Sequence, residues 1–372
     1  PQTYGWRNGH CGLCDFRHLC HEQRVADDHL TLVAGMRRSW AEALMEDGIP
    51  TLAALGDLPP GTPPAGELRE ETFEGLRHQA SVQLHHLRTG QHRWDLLPDT
   101  HERGFRLLPQ PDRGDVWFDM EGHPFHEPAR GLEFLFGWCY RDENGEVAYE
   151  ARWAGDHAGE AAAFAGFVDW VVARRERFPD LHVYHYAAYE RTALTRLMGV
   201  HGLREQEVDD FLREEVLVDL YRVVKQSLRA SVDSYSIKAI EKLYDFERTA
   251  EVTGGDDSVV RFEEWVETGN DETLEEVERY NEEDCRSTYE LHEWLLGIRP
   301  SETPWWTPED PWEPSDESIA ATEEREQLKA ALLDGTVEGD ARWLTAQLLD
   351  YHQREAKPQW WEWFLHLTLD ED

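Results

Sequence analysis

The run Val116-Trp117-Phe118-Asp119-Met120-Glu121-Gly122 sets three large apolar residues ahead of two acids spaced two positions apart. Short and rich in strand formers, it reads as a β-strand, in which successive side chains alternate faces, so Asp119 and Glu121 share one. Two carboxylates on one face repel each other unless a cation lies between them, and hard oxygen donors suit Mg²⁺ or Mn²⁺. Gly122 marks the expected end of a buried strand, where ligand sites of α/β sheets gather. For the pair taken alone, an exposed strand face that happens to carry two acids is the plain alternative.

Outward from this run, residues 133–140 and 146–153 read as two more strands joined by Arg141-Asp-Glu-Asn-Gly145, and residues 181–185 as a fourth. Helical periodicity fills 159–177, 187–198, 234–243 and 273–296. Three strands in hairpin order, then a helix, a strand and further helices, predict an α/β domain over residues 112–298: a mixed sheet flanked by helices. Residues 26–108 read as a small all-α module, with Leu30, Val33, Met36, Trp40 and Leu44 at helical spacing. Residues 299–372 read as a linker rich in Pro and Trp, followed by a helical extension near 319–333 and 341–364.

On the last helix of the central domain, Tyr280 and Asp284 lie four apart and share a face, whereas Glu282 and Glu283 point elsewhere and are expected to be solvated. A strand carrying Asp-x-Glu, a middle acidic motif between strand and helix, and a late helix carrying Tyr-x-x-x-Asp resemble the DEDDy exonucleases, whose fold is RNase H-like. The middle motif is Tyr184-His-Tyr-Ala-Ala-Tyr-Glu190, with Glu190 where that family has aspartate and His185 where it has asparagine. Asp219 is the competing carboxylate, ranked second because Glu190 fits the motif order. The resemblance implies a 3′-5′ exonuclease using two Mg²⁺ or Mn²⁺ ions on Asp119, Glu121, Glu190 and Asp284, with Tyr280 orienting the attacking water and His185 contacting nucleic acid. It also implies that Ser234 to Tyr244 is the helix preceding the last motif, with Ile237, Ile240 and Leu243 packing.

Cys11, Cys14 and Cys20 in residues 1–25 have the spacing of metal-binding thiolates, for Zn²⁺ completed by His10, His18 or His21, or for an iron-sulfur cluster. The triplet resembles the tail of RecB-like PD-(D/E)XK nucleases with a 4Fe-4S cluster, whose fourth ligand would lie outside this chain. Cys139 and Cys285 read as buried thiols. Residues 32–55 are similar to helix-hairpin-helix motifs, with Gly35 in the hairpin and Arg37 and Arg38 beside a phosphate, or else form an ordinary helical linker. The order of these parts resembles RecB-like nucleases fused to a YprB-like RNase H domain, some continuing into a helicase. That implies a DNA repair or defence protein acting on single-stranded DNA 3′ ends, with attached nuclease and helicase domains.

The 372 residues carry a net charge of -39, which argues against phosphate binding by the chain as a whole but leaves local sites open. Acids are what a divalent-metal nuclease needs. Lysine is confined to Lys225, Lys238, Lys242, Lys329 and Lys357, a solubility trait rather than a fold signal. No run is long and apolar enough to span a bilayer, five cysteines do not make a secreted disulfide framework, and a cytoplasmic location is expected. The chain begins at Pro1 and reads as a piece of a longer protein. Against the exonuclease stands one alternative: an RNase H-fold binding or scaffolding module without turnover, which the Glu190 departure would favour.

Overall fold

The structure, a computed structural model, describes residues 4–127, 130–250, 252, 254–307, 315–349 and 351–368. Helices α1 (Arg17–Ala26), α2 (Arg38–Glu46), α3 (Leu52–Gly56) and α4 (Glu70–Thr89) lead into the short strand β1 (Trp94–Leu96). Next come β2 (Val116–Glu127), β3 (Arg130–Arg141), β4 (Val147–Trp153), α5 (His157–Arg177), β5 (Val183–His185), α6 (Tyr189–His201), α7 (Glu205–Arg213) and β6 (Leu217–Asp219). The chain continues through α8 (Leu220–Ser227), β7 (Leu228–Ala230), α9 (Ile237–Ile240), α10 (Gly255–Thr268) and α11 (Asp271–Ile298) to α12 (Asp316–Leu333), α13 (Ala341–Leu348) and α14 (Tyr351–Thr368).

Two units interleave along the sequence. One comprises Pro1–Leu108, Tyr221–Arg248 and Glu290–Trp305; the other comprises Pro109–Leu220, Thr249–Tyr289 and Trp306–Asp372. In the first, Leu30, Val33, Leu44, Leu52, Leu55, Phe73, Leu76 and Leu84 form the core. Its helical spacing from Leu30 to Leu44 does not make one helix: a 3-10 turn at Leu30–Leu32 is followed by Gly35 at φ 80° before α2 begins at Arg38. Only glycine adopts that left-handed turn without a steric cost. This unit is not wholly helical, because β1 pairs antiparallel with β7 through Trp94 opposite Ala230. The expected helix over 234–243 shrinks to α9 and one 3-10 turn, while Ile240 and Leu243 are buried as expected.

The second unit is built on a mixed five-stranded sheet, flanked by helices, in the order β4-β3-β2-β5-β6. β2 sits at its centre, antiparallel to β3 and parallel to β5. The alternation read from the sequence holds along β2. Val116, Phe118 and Met120 face a core shared with Phe164, Phe167 and Val168 of α5 and Leu194 and Leu197 of α6, with Phe118 stacked on Phe167 at 4.0 Å. Burying each such side chain is worth about 1.5–3 kcal/mol. On the other face lies α11: Tyr289 meets Trp117 edge-on at 4.7 Å, and the Cys285 thiol donates to the Gly137 carbonyl at 3.2 Å. Cys139 and Cys285 are both buried.

Strand β2 does not end at Gly122. It runs on to Glu127, and its pairing with β3 shifts register between Glu121 and Gly122. Such a bulge re-aims the side chains beside it. The strand β6 and the helices α7 and α10 were not foreseen from the sequence, and the expected helix over 341–364 is divided into α13 and α14. Residues 308–314 of the Pro- and Trp-rich linker lie outside the described residues. Among the described residues no helix is long and apolar enough to cross a membrane.

Candidate metal centre

The strand period and the helix period together assemble the centre. Asp119 and Glu121 project from β2 toward α11, and Asp284 projects from α11, so that one carboxylate oxygen of each lies within 4.8 Å of the others. Asp119 is half-buried; Glu121 and Asp284 are buried. Three carboxylates this close in a partly desolvated place repel strongly when empty of cations, and their hard oxygens fit Mg²⁺ or Mn²⁺. Tyr280, one helical turn before Asp284, is also buried.

Residues that the sequence did not single out hold these acids in place. The Asn281 amide donates to Asp119 Oδ2 at 2.8 Å, and its carbonyl oxygen accepts the Tyr149 hydroxyl at 2.8 Å, an arrangement that fixes which way the amide points. Burial pushes the Tyr149 hydroxyl well above its ordinary pKa, so it stays a donor. Ser258 of α10 donates its hydroxyl to Glu121 Oε2 at 2.7 Å. Asn281 reaches Asp119 only because Gly137, directly opposite Asp119 on β3, has no side chain: a Cβ there would overlap Asn281 Oδ1. Gly137→Ala is therefore expected to displace Asn281, costing about 1–3 kcal/mol from overpacking. Thermal unfolding should register the loss, together with weaker Mn²⁺ binding; an unchanged melting temperature would show that the helix yields freely.

Glu190 is not one of the three clustered carboxylates. It is buried at the start of α6 with Oε2 3.4 Å from His185 Nδ1, while that nitrogen donates to the Ala187 carbonyl at 2.7 Å. Burial raises the Glu190 pKa against the pull of His185. For His185 burial works the other way, but Glu190 and Asp219 outweigh it and raise the imidazole pKa. Oε2 of Glu190 and Nε2 of His185 are buried without a hydrogen-bond partner among the described residues. The rival, Asp219, accepts the Ala187 N-H at 2.9 Å. Ala187 thus bonds at both its N-H and its carbonyl while held at φ 73°, a left-handed conformation that costs a non-glycine residue roughly 1–3 kcal/mol.

A further acid lies on the strand next to β2. Glu133 on β3 pairs with Gly122, accepts the Tyr189 hydroxyl at 2.7 Å and bonds Arg196 at 2.5 Å. Burial raises its pKa against those two partners. A Cβ at Gly122 would overlap both the Glu133 carboxylate and the Tyr189 hydroxyl, so the glycine after Glu121 is a requirement of close approach.

Glu283 corrects an expectation. It is buried rather than solvated, because its Oε1 accepts the Thr249 N-H at 2.7 Å, the Thr249 hydroxyl at 2.7 Å and the Ala250 N-H at 2.9 Å. Glu282 is half-buried and pairs with Arg286 at 2.7 Å.

Residues 116–296 match the RNase H superfamily. Members of that superfamily are typically nucleic-acid hydrolases, and the matched stretch contains the whole three-carboxylate group. No curated protein and no solved structure matches the chain.

The three N-terminal cysteines are not clustered. Cys11 lies in a 3-10 turn capped by Asn8, Cys14 is exposed, and Cys20 packs against Gly5. Among the described residues no group of metal-binding side chains includes a cysteine, so an iron-sulfur cluster is not supported. The first helix of the expected helix-hairpin-helix is only the 3-10 turn before Gly35. Arg37 lies over Trp40 at 4.6 Å, and Arg38 over Trp6 at 4.9 Å while it pairs with Glu42 at 2.8 Å.

Proposed function

We propose that this chain is a metal-dependent 3′-5′ exonuclease of the DEDDy kind, hydrolysing phosphodiester bonds of single-stranded DNA or RNA. The observation that carries the reading is the convergence of Asp119, Glu121 and Asp284 inside the stretch that matches the RNase H superfamily. When bound, divalent ions at such a centre polarise the scissile phosphate and lower the pKa of water.

The chain's own groups would divide the remaining work. Asp119, Glu121 and Asp284 would hold the ions, and Asn281 and Ser258 keep the first two carboxylates aimed, since each bonds one carboxylate oxygen. Tyr280 orients the attacking water. Glu190 would supply the fourth carboxylate, with the His185 imidazole 3.4 Å from its Oε2 steadying the negative charge. A second reading, a binding or scaffolding module without turnover, is favoured by one observation: Glu190 lies against His185 and outside the three-carboxylate group.

Incubating 3′- and 5′-labelled single strands with Mn²⁺ or Mg²⁺ separates the two. Mononucleotide release from the 3′ label, abolished by EDTA and restored by excess Mn²⁺, is the expected result. Strand binding without nucleotide release in either metal would establish the scaffold instead.

A further inference from the structure

Two residues beyond Glu121 on β2, and on the far side of the bulge, a second constellation forms from residues with different chemistry. His123 and His126 of β2 and Glu263 of α10 each offer a ligand atom within 4.8 Å of the others. His123 Nε2 lies 2.9 Å from Glu263 Oε1, and His126 Nδ1 lies 4.0 Å from the same oxygen. His126 Nδ1 is buried and without a hydrogen-bond partner among the described residues, although the ring needs one. His157 of α5 borders the group, its ring 6.0 Å from that of His126 and its Nε2 buried without a hydrogen-bond partner among the described residues, 3.7 Å from Glu127 Oε2.

We infer that His123, His126 and Glu263 form a transition-metal site of the Zn²⁺ class, separate from the carboxylate centre. Two imidazoles and one carboxylate with an open fourth position are a zinc donor set, whereas three carboxylates suit Mg²⁺ or Mn²⁺. Neighbouring sites on one strand therefore select different ions. Binding through His123 Nε2 requires its Nδ1 to carry the proton. The Phe125 N-H, which donates to Nδ1 at 3.1 Å, is then released, and Phe125, 82% exposed, is placed to move.

The site has a mechanical consequence. Helix α10 supplies both Glu263 and Ser258, and Ser258 donates to Glu121. Between them Phe262 stacks on Phe134 of β3 at 4.3 Å. An ion shared by β2 and α10 thus pins the helix to the strand and holds the Ser258 hydroxyl on Glu121. Ser258 becomes a positioning residue under the control of the second metal. This zinc-class site stands whether or not the chain cleaves nucleic acid.

Cobalt tests it, because Co²⁺ in a four- or five-coordinate nitrogen and oxygen site absorbs visibly whereas an octahedral oxygen site is nearly colourless. The full chain carrying Asp284→Asn, stripped by EDTA and titrated with Co²⁺ in excess Mg²⁺, should develop the visible bands and bind one equivalent. His126→Ala and Glu263→Gln, each added to that background, should lose the bands and that equivalent while keeping a native far-ultraviolet circular dichroism spectrum. Zinc should raise the melting temperature of the parent but not of either variant. Retention of the bands by both variants would overturn the assignment, as would binding that Mg²⁺ displaces.

Discussion

Asp284→Asn should remove metal-dependent strand cleavage almost completely. The substitution keeps the size of the side chain and removes one negative charge from a partly buried group of three. Metal stabilisation of a transition state is worth several kcal/mol, and at about 1.36 kcal/mol per tenfold that is a loss of roughly three orders of magnitude or more. The same change should act on stability in the opposite direction. In EDTA the three carboxylates repel across a partly desolvated space, so removing one charge should raise the melting temperature. In Mn²⁺ the order should reverse, because the wild type gains from ion binding and the variant gains little. Rates from a 3′-labelled strand and paired melting curves in EDTA and Mn²⁺ check both halves. Cleavage within tenfold of the wild type would remove Asp284 from the centre, and identical melting curves in both conditions would show that the three acids bind no ion.

What could be read beforehand followed from the two backbone periods. The parity of Asp119 and Glu121 on a strand and the four-residue spacing of Tyr280 and Asp284 on a helix need no tertiary knowledge, and the structure brings three of these acids together. The β2, β3 and β4 hairpins were legible for the same reason. Groups that act through space were not. Asn281 looks like any polar residue on an acidic helix, and only the register of Asp119 opposite Gly137 gives it a target. Ser258 lies on α10, where periodicity was too weak to announce a helix. Glu283 was misread because a glutamate on a surface-rich helix is usually solvated, and nothing local reveals that the backbone at Thr249 and Ala250 needs an acceptor. His123 and His126 went unread because the strand was expected to stop at Gly122; its continuation to Glu127 is a property of the bulge and the β3 pairing. The cysteine triplet differs in the opposite sense, its thiols not being clustered. Its spacing suggests chelation, but the turn at Gly9–Leu13 and the packing of Cys20 on Gly5 give the thiols separate surroundings.

Tyr280→Phe distinguishes chemistry from scaffolding at this centre. Tyr280 is buried one helical turn from Asp284, so its hydroxyl is presented by a helix that already carries a carboxylate of the group. Removing one oxygen leaves the ring, the helix and all three acids in place, and neither the charge of the centre nor its affinity for ions should change. If the hydroxyl orients the attacking water, its loss should slow turnover by about 10²–10⁴-fold, the range for a positioned proton-handling group. Affinity for a single strand, measured in Ca²⁺ to suppress cleavage, should stay at the wild-type value. The effect should fall on kcat and leave KM alone, since the interaction is made only as the water attacks. Equal losses in binding and turnover would make Tyr280 a contact for the strand. Unchanged turnover would leave water orientation to another group, and Tyr189, whose hydroxyl bonds Glu133 beside Gly122, is the next to test.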